Sequence, residues 1–204
     1  MPSSASQSPS GRPPLILASA SPRRAALLEQ IGVRADEIVP AEIDEAPLKK
    51  ETPRDLALRL AREKCATAAR SGAFTLAADT VVAVGRRTLG KPETAEEARA
   101  FLELLSGRGH RVWTGVAAQA PDGRSAARIV ETRVAFKRLS EDDVAAYLAS
   151  GEWEGKAGGY AIQGLAGRFV IAITGSYSAV VGLPLYETWA LLEGLGYRQL
   201  QKPS

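Results

Sequence analysis

The sequence predicts an α/β protein built on a mixed sheet. Three observations lead there. Helical and strand patterning alternate along the chain, and one long stretch alternates apolar and polar residues on both sides of a Pro-Asp-Gly turn. In addition, an apolar content of 45% over 204 residues is enough for an ordinary buried core.

Residues 1–13, MPSSASQSPSGRP, hold five serines and three prolines without apolar periodicity, the composition of a disordered leader. A single domain is expected over residues 14–204, because no repeat or internal linker divides the rest. LILA at 15–18 reads as a short buried strand, followed by Ser21 as N-cap and Pro22 at the first helical position. Residues 25–31 complete that helix, and Gly32 stops it. EIVP at 37–40 is a second strand, and Thr52-Pro53 opens the longest helix, running to about residue 71.

FTLAADTVVAVG at 74–85 reads as two strand runs interrupted at Ala78-Asp79, and TAEE at 94–97 is a capping box opening a helix to about Leu105. HRVWTGVAAQ, the turn PDG and RIVETRVAF make the long hairpin. A helix near 141–149, a glycine-rich stretch, the strand RFVIAIT and a helix from about 184 to 195 close the chain.

Composition narrows the chemistry. One cysteine, Cys65, excludes an internal disulfide framework, and one histidine, His110, argues against a histidine-rich zinc site. Any metal is therefore held mainly by carboxylates. The net charge is +3 and the pI near 9.1, but acidic and basic residues are interspersed, which favours a small anionic ligand over a long nucleic acid. No stretch reaches the roughly 20 apolar residues of a membrane span and no secretory signal opens the chain, so a cytoplasmic protein is expected.

Two adjacent arginines, Arg23 and Arg24, stand at the mouth of the first helix, where the helix dipole disfavours cations. Either they point into water, or they converge with Ser19, Ser21 and free backbone N–H groups on an anion. Asp79 lies inside an apolar run, where an ionised carboxylate needs a partner; it either ends a strand by capping the next turn or, as the flanking strand runs favour, serves in metal binding or water activation. Glu42, Asp44 and Glu45 sit in a proline-bounded loop and supply further carboxylates for magnesium only if that loop reaches Asp79.

Lysine is scarce, seven residues against nineteen arginines. Lys64 follows Leu56 and Leu60 at spacings of four, on the stripe facing the core, so its amine either snorkels out or enters a cleft. Lys91 and Lys156 lie in turns, the latter beside glycines that allow close backbone approach to a ligand. His110 and Cys65 read as structural, and Trp113, Trp153 and Trp189, in three different elements, as packing residues.

Seven ordered motifs, SASPRR (19–24), REKC (62–65), AADTVV (77–82), GKP (90–92), LSGRGHRVWTGV (105–116), KAGGYAIQG (156–164) and GSYSAVVGLPL (175–185), resemble the Maf, or septum formation inhibitor, family of nucleoside triphosphate pyrophosphatases. They span residues 15 to about 195. The resemblance implies an elongated, mixed-sheet, two-lobed Maf/ITPase-like α/β fold with a central cleft, often dimeric, and hydrolysis between the α and β phosphates with a divalent cation, Mg2+ or Mn2+. It implies Asp79 as proton acceptor, Ser19, Arg24, Lys64 and Lys91 on phosphate, and Asp79 with Glu45 on the metal. Arg23, Thr80 and Gln163 fall on the positions that separate subgroups, in the combination of the dTTP and UTP subgroup. A glutamine amide can both donate to a carbonyl and accept from an N–H, matching the imide edge of thymine or uracil. Hydrolysis of 7-methyl-GTP and a non-enzymatic, nucleotide-binding role in cell division are the competing readings.

Overall fold

The computed structural model describes residues 12–198. A seven-stranded mixed sheet runs in the order β2-β1-β3-β5-β6-β7, with β4 also paired to β3. Its strands are β1 (Leu15–Leu17), β2 (Glu37–Ile38), β3 (Phe74–Val84), β4 (Arg87–Leu89), β5 (Gly109–Gln119), β6 (Ser125–Phe136) and β7 (Val170–Thr174). The β1–β2 and β1–β3 pairs are parallel and the rest antiparallel. Among the described residues there are six α-helices, α1 (Pro22–Gln30), α2 (Pro53–Ala68), α3 (Ala95–Leu105), α4 (Glu141–Ala149), α5 (Tyr177–Val181) and α6 (Leu185–Gly194), and two short 3-10 turns at Ala157–Gly159 and Leu165–Phe169.

The even-numbered face of β3 carries two separate cores. Phe74, Leu76 and Ala78 pack with Leu27 and Leu28 of α1 and Leu191 and Leu192 of α6. Further along the same strand, Val82 packs with Phe101, Leu102 and Leu105 of α3, Val144 and Tyr147 of α4, and Phe169. Between these cores lie Thr80 and its cross-strand neighbour Thr114. Two lobes sharing one long sheet is the expected architecture. The odd-numbered face is covered by α2, whose Leu56, Ala57 and Leu60 meet Val81, and whose Ala61, Cys65 and Ala68 meet Ala77 and Ala117.

Asp79 does not interrupt β3. The strand is continuous over eleven residues, because its edge toward β5 is paired without a break from Thr75 to Ala83. The opposite edge is what opens. There β1 pairs with residues 74–76 and β4 with 82–84, leaving residues 77–81 with no strand beside them. Side chains alternate faces along a strand, so Asp79 and Thr80 leave opposite faces of the sheet. Both reach the same space through that window.

Smaller differences have local causes. At TAEE the Thr94 hydroxyl accepts from Glu97 N–H, but the Glu97 carboxylate turns to Glu93 N–H instead of Thr94, so half the box forms. The complete reciprocal box is at Ser140 and Asp143. Ser21 occupies the α1 N-cap without a side-chain bond, because the bond at that corner runs from its N–H to Ser19 Oγ. The long helix ends at Ala68, where Ala69 turns to extended backbone. The short β4 and α5 carry too little periodicity to be read from sequence. Residues 1–11 of the expected leader lie outside the described residues, and Arg12 ion-pairs with Asp36 at 2.9 Å and stacks over Tyr197. No helix among the described residues is long and apolar enough to cross a membrane.

His110 has the structural place expected of it, buried with Nε2 2.7 Å from the Tyr160 hydroxyl and its ring edge-on to Phe136. Burial pushes its pKa down to about 4, and among the described residues Nδ1 has no partner to accept a hydrogen bond from the imidazolium N–H. The unfolded chain takes up that proton near pH 6.5, so between pH 6.5 and 4 the unfolded state binds more protons and stability falls as the pH falls. The loss from this group should approach about 3 kcal/mol. Urea unfolding at pH 7 and pH 4.5 should show it as a larger acid loss in the wild type than in His110→Gln; equal losses would remove the assignment.

Candidate active site

The window in β3 opens into a cleft of about 710 Å³ between the lobes. Ser19, Arg23, Arg24, Glu45, Lys64, Asp79, Thr80, Lys91 and Gln163 all line it. These are the nine site positions drawn from the sequence, contributed by six separate stretches of chain. Lys156 lines it as well, while Glu42 and Asp44 do not. Of the three carboxylates at 42, 44 and 45, only that of Glu45 is delivered to the cleft; the Asp44 carboxylate caps its own turn by accepting from Ala46 N–H at 2.9 Å.

An ion-pair chain forms the cleft wall beneath α2. Lys64, on the buried face of that helix, is 8% exposed, and Asp79 is 7% exposed. The Lys64 ammonium donates to Asp79 Oδ1 at 2.5 Å and to Glu45 Oε1 at 2.6 Å, and Lys91 donates to Glu45 Oε2 at 3.1 Å. A lone buried charge would be costly, and this reciprocal arrangement offsets its desolvation. Partial burial works to raise the Glu45 pKa, yet the hydrogen bonds and charges of Lys64 and Lys91 outweigh it and hold the carboxyl below its usual range. Glu45 is thus anionic at neutral pH. Lys91 itself is exposed at the cleft rim.

Helix α2 can approach this closely because of a glycine. Gly115 of β5 is the register partner of Asp79, and a Cβ placed on it would lie 2.3 Å from the carbonyl oxygen of Ala57. Ala57 and Lys64 are seven residues apart, two turns along the same helix face. Contact at Gly115 therefore sets how far the ammonium reaches toward Asp79.

The opposite wall is the corner between β1 and α1. Arg24 donates through Nε to the Gly182 carbonyl at 2.8 Å and through NH1 to Ser19 Oγ at 3.2 Å, while Ser21 N–H donates to the same Ser19 oxygen at 3.1 Å. Burial lowers the Arg24 pKa, Asp79 opposes that shift, and Arg23 adds repulsion. Burial likewise lowers Arg23, and burial followed by the charge of Arg23 lowers Lys156. Five cations, Arg23, Arg24, Lys64, Lys91 and Lys156, face one cleft against the carboxylates of Glu45, Asp79 and Glu154, which leaves the site net positive. Thr80 is held from behind by Thr114, whose hydroxyl lies 3.3 Å from that of Thr80 and donates to the Ala179 carbonyl at 2.8 Å.

Two supports escaped the sequence reading. The Gly182 carbonyl that anchors Arg24 is a backbone group, which no side-chain pattern reveals. Thr114 left a faint signal, a hydroxyl at an inward position between Val112 and Val116. Cys65 is a buried packing residue whose thiol is pushed up to about 12 by desolvation, and the three tryptophans pack at the margins of three different cores.

Fold and cleft together define a class: a two-lobed α/β protein whose shared sheet opens between the lobes onto converging cations and a carboxylate pair. The Maf-like protein family profile matches residues 14–195. The chain belongs to the Maf family. It is 62% identical over 189 residues to a dTTP/UTP pyrophosphatase of Hyphomonas neptunium, covering 93% of this chain and 99% of that one. It is 63% identical over 188 residues to a dTTP/UTP pyrophosphatase of Caulobacter vibrioides, covering 91% and 97%. Among solved structures it is similar, at a TM-score of 0.37 and 23% identity over 61% of this chain and 74% of that one, to a Nucleoside-triphosphatase / dITP/XTP pyrophosphatase from Mycobacterium abscessus.

Proposed function

We propose that the protein is a nucleoside triphosphate pyrophosphatase acting on dTTP and UTP, cutting between the α and β phosphates to release the monophosphate and pyrophosphate. The observation that carries this reading is the cleft itself, in which Arg24, Lys64 and Lys91 surround the carboxylates of Asp79 and Glu45. The names of the relatives at 62 and 63% identity supply the nucleotides.

A divalent cation suits the carboxylate pair. Among the described residues no group of three or more His, Cys, Asp or Glu gathers as a self-sufficient metal site. Glu45 and Asp79, however, already direct an oxygen each at one cation, the Lys64 ammonium. Two carboxylates completed by substrate phosphates are a common donor set for Mg2+ or Mn2+. Bound there, the metal supplies electrophilic charge to the phosphate oxygens.

The chain's own groups do the rest. Asp79 orients the attacking water and takes its proton as the water oxygen bonds to the α phosphorus. The bond from that phosphorus to the bridging oxygen breaks, and the oxygen leaves with pyrophosphate. Arg24, Lys64 and Lys91 neutralise the charge that spreads over the phosphates, and Ser19, already bonded to Arg24, presents its hydroxyl to them. Arg23, Thr80 and Gln163 select the base, the Gln163 amide pairing with a pyrimidine imide edge and leaving its own dipoles unsatisfied against a base lacking that pattern.

A panel of triphosphates with Mg2+, scored for pyrophosphate against orthophosphate, tests this directly. Pyrophosphate from dTTP and UTP ahead of other nucleotides is the expected result. Stepwise orthophosphate would make the protein a phosphatase, and 7-methyl-GTP leading the panel would reassign the subgroup. Gln163→Glu should lower the preference for dTTP and UTP by about tenfold or more, since it replaces the amide donor with a second acceptor. An unchanged preference would remove Gln163 from base selection.

A further inference from the structure

We propose that Lys64 is an internal placeholder for the divalent cation, holding Glu45 and Asp79 together and keeping the metal out until the nucleotide arrives. This rests on the pyrophosphatase reading above and adds an order of events to it.

The argument is geometric. The two carboxylates come from distant segments, the loop before α2 and the middle of β3, and their common partner is the Lys64 ammonium at 2.6 and 2.5 Å. It stands between them, where a shared metal would have to stand. Lys64 and Asp79 are both buried, so the ammonium has little access to water as an alternative partner. A metal entering alone must break both ion pairs and leave a buried ammonium stranded beside a second cation, and each part of that exchange is costly in a poorly solvated site.

A triphosphate removes the obstacle. Its oxygens give the displaced ammonium a new anionic partner, so the carboxylates are released to the metal and Lys64 turns to the phosphates in a single exchange. Metal and nucleotide then favour each other's binding, and by linkage each raises the other's affinity equally. Glu45 is set up for this movement: it is more exposed than Lys64 or Asp79 and is also tied to Lys91 at the rim, another cation that the phosphates can claim.

The test is Mn2+ binding to the full-length protein without nucleotide, followed by electron paramagnetic resonance of free Mn2+. Lys64→Met keeps the length of the side chain and removes the charge; Lys64→Gln is a second neutral replacement, and circular dichroism and a cooperative melt establish that each is folded. Both should bind Mn2+ at least about tenfold more tightly than the wild type, whereas Lys64→Arg, which keeps the cation, should not. Equal affinities in the wild type and the neutral variants would overturn the proposal, as would neutral variants with no measurable Mn2+ or a gain of the same size in Lys64→Arg. Failure of the wild type to release pyrophosphate from dTTP or UTP would instead overturn the functional reading, and leaves this comparison standing as a statement about the cation site.

Discussion

Asp79→Asn is expected to lower pyrophosphate release from dTTP and UTP by about a thousandfold, within the range of removing a positioned general base, while the folded structure persists. The carboxylate is buried in the middle of β3, where Lys64 reaches it and the unpaired strand edge exposes it to the cleft. Asparagine has the same shape and keeps an oxygen to accept from Lys64, so the sheet register and the helix above it lose little. What it lacks is the charge to hold a metal and the basicity to take a proton from water. Initial rates by pyrophosphate detection, beside circular dichroism and thermal melting, separate the two effects. Turnover near the wild-type rate would remove Asp79 from the mechanism, and a collapsed melt would show its charge to be structural.

Gly115→Ala should have the largest effect on stability and should also damage the site from a distance. The added methyl would sit 2.3 Å from the carbonyl oxygen of Ala57, 2.8 Å from its carbon and 3.0 Å from Leu58 Cα. All three are backbone atoms, so no side chain can swing aside. Relief requires α2 to rise by about 1 Å, to reach ordinary contact distance. Overpacking of this kind costs about 3 kcal/mol. The same rise draws Lys64 away from Asp79, and a displacement of that size in a catalytic group can cost about a hundredfold in rate. Urea unfolding and kcat at saturating dTTP should therefore fall together. An unchanged midpoint with normal kcat would show that α2 is not held to the sheet through Gly115.

These two neighbours show what could be read before the fold was known. Asp79 announced itself, because a carboxylate inside an apolar run must have a partner or a purpose. Gly115 lay within a recognisable motif but offered no chemistry of its own; its importance comes from the helix lying above it. Lys64 was intermediate. Its helical spacing assigned it to the buried stripe, yet its amine could have gone out to water or to a phosphate in a cleft. The structure supplies two carboxylates, one from a loop whose reach no local pattern encodes.

By itself, the sequence determined the α/β class, the order of nearly all the elements and the family resemblance, and that resemblance put forward nine site positions. The class and the element order follow from local physics, since periodicity, caps and turns are written within a few neighbours of each position, whereas positions such as Thr80 and Gln163 came only with the resemblance. Only the tertiary structure decided that β3 runs unbroken through Asp79 and that its far edge is bare from residue 77 to 81. It also decided that Glu45, not Glu42 or Asp44, enters the cleft, and that a backbone carbonyl at Gly182 anchors Arg24. Each depends on where segments far apart in the chain come to rest, and that is set by packing between strands, helices and loops rather than by any residue's neighbours in sequence.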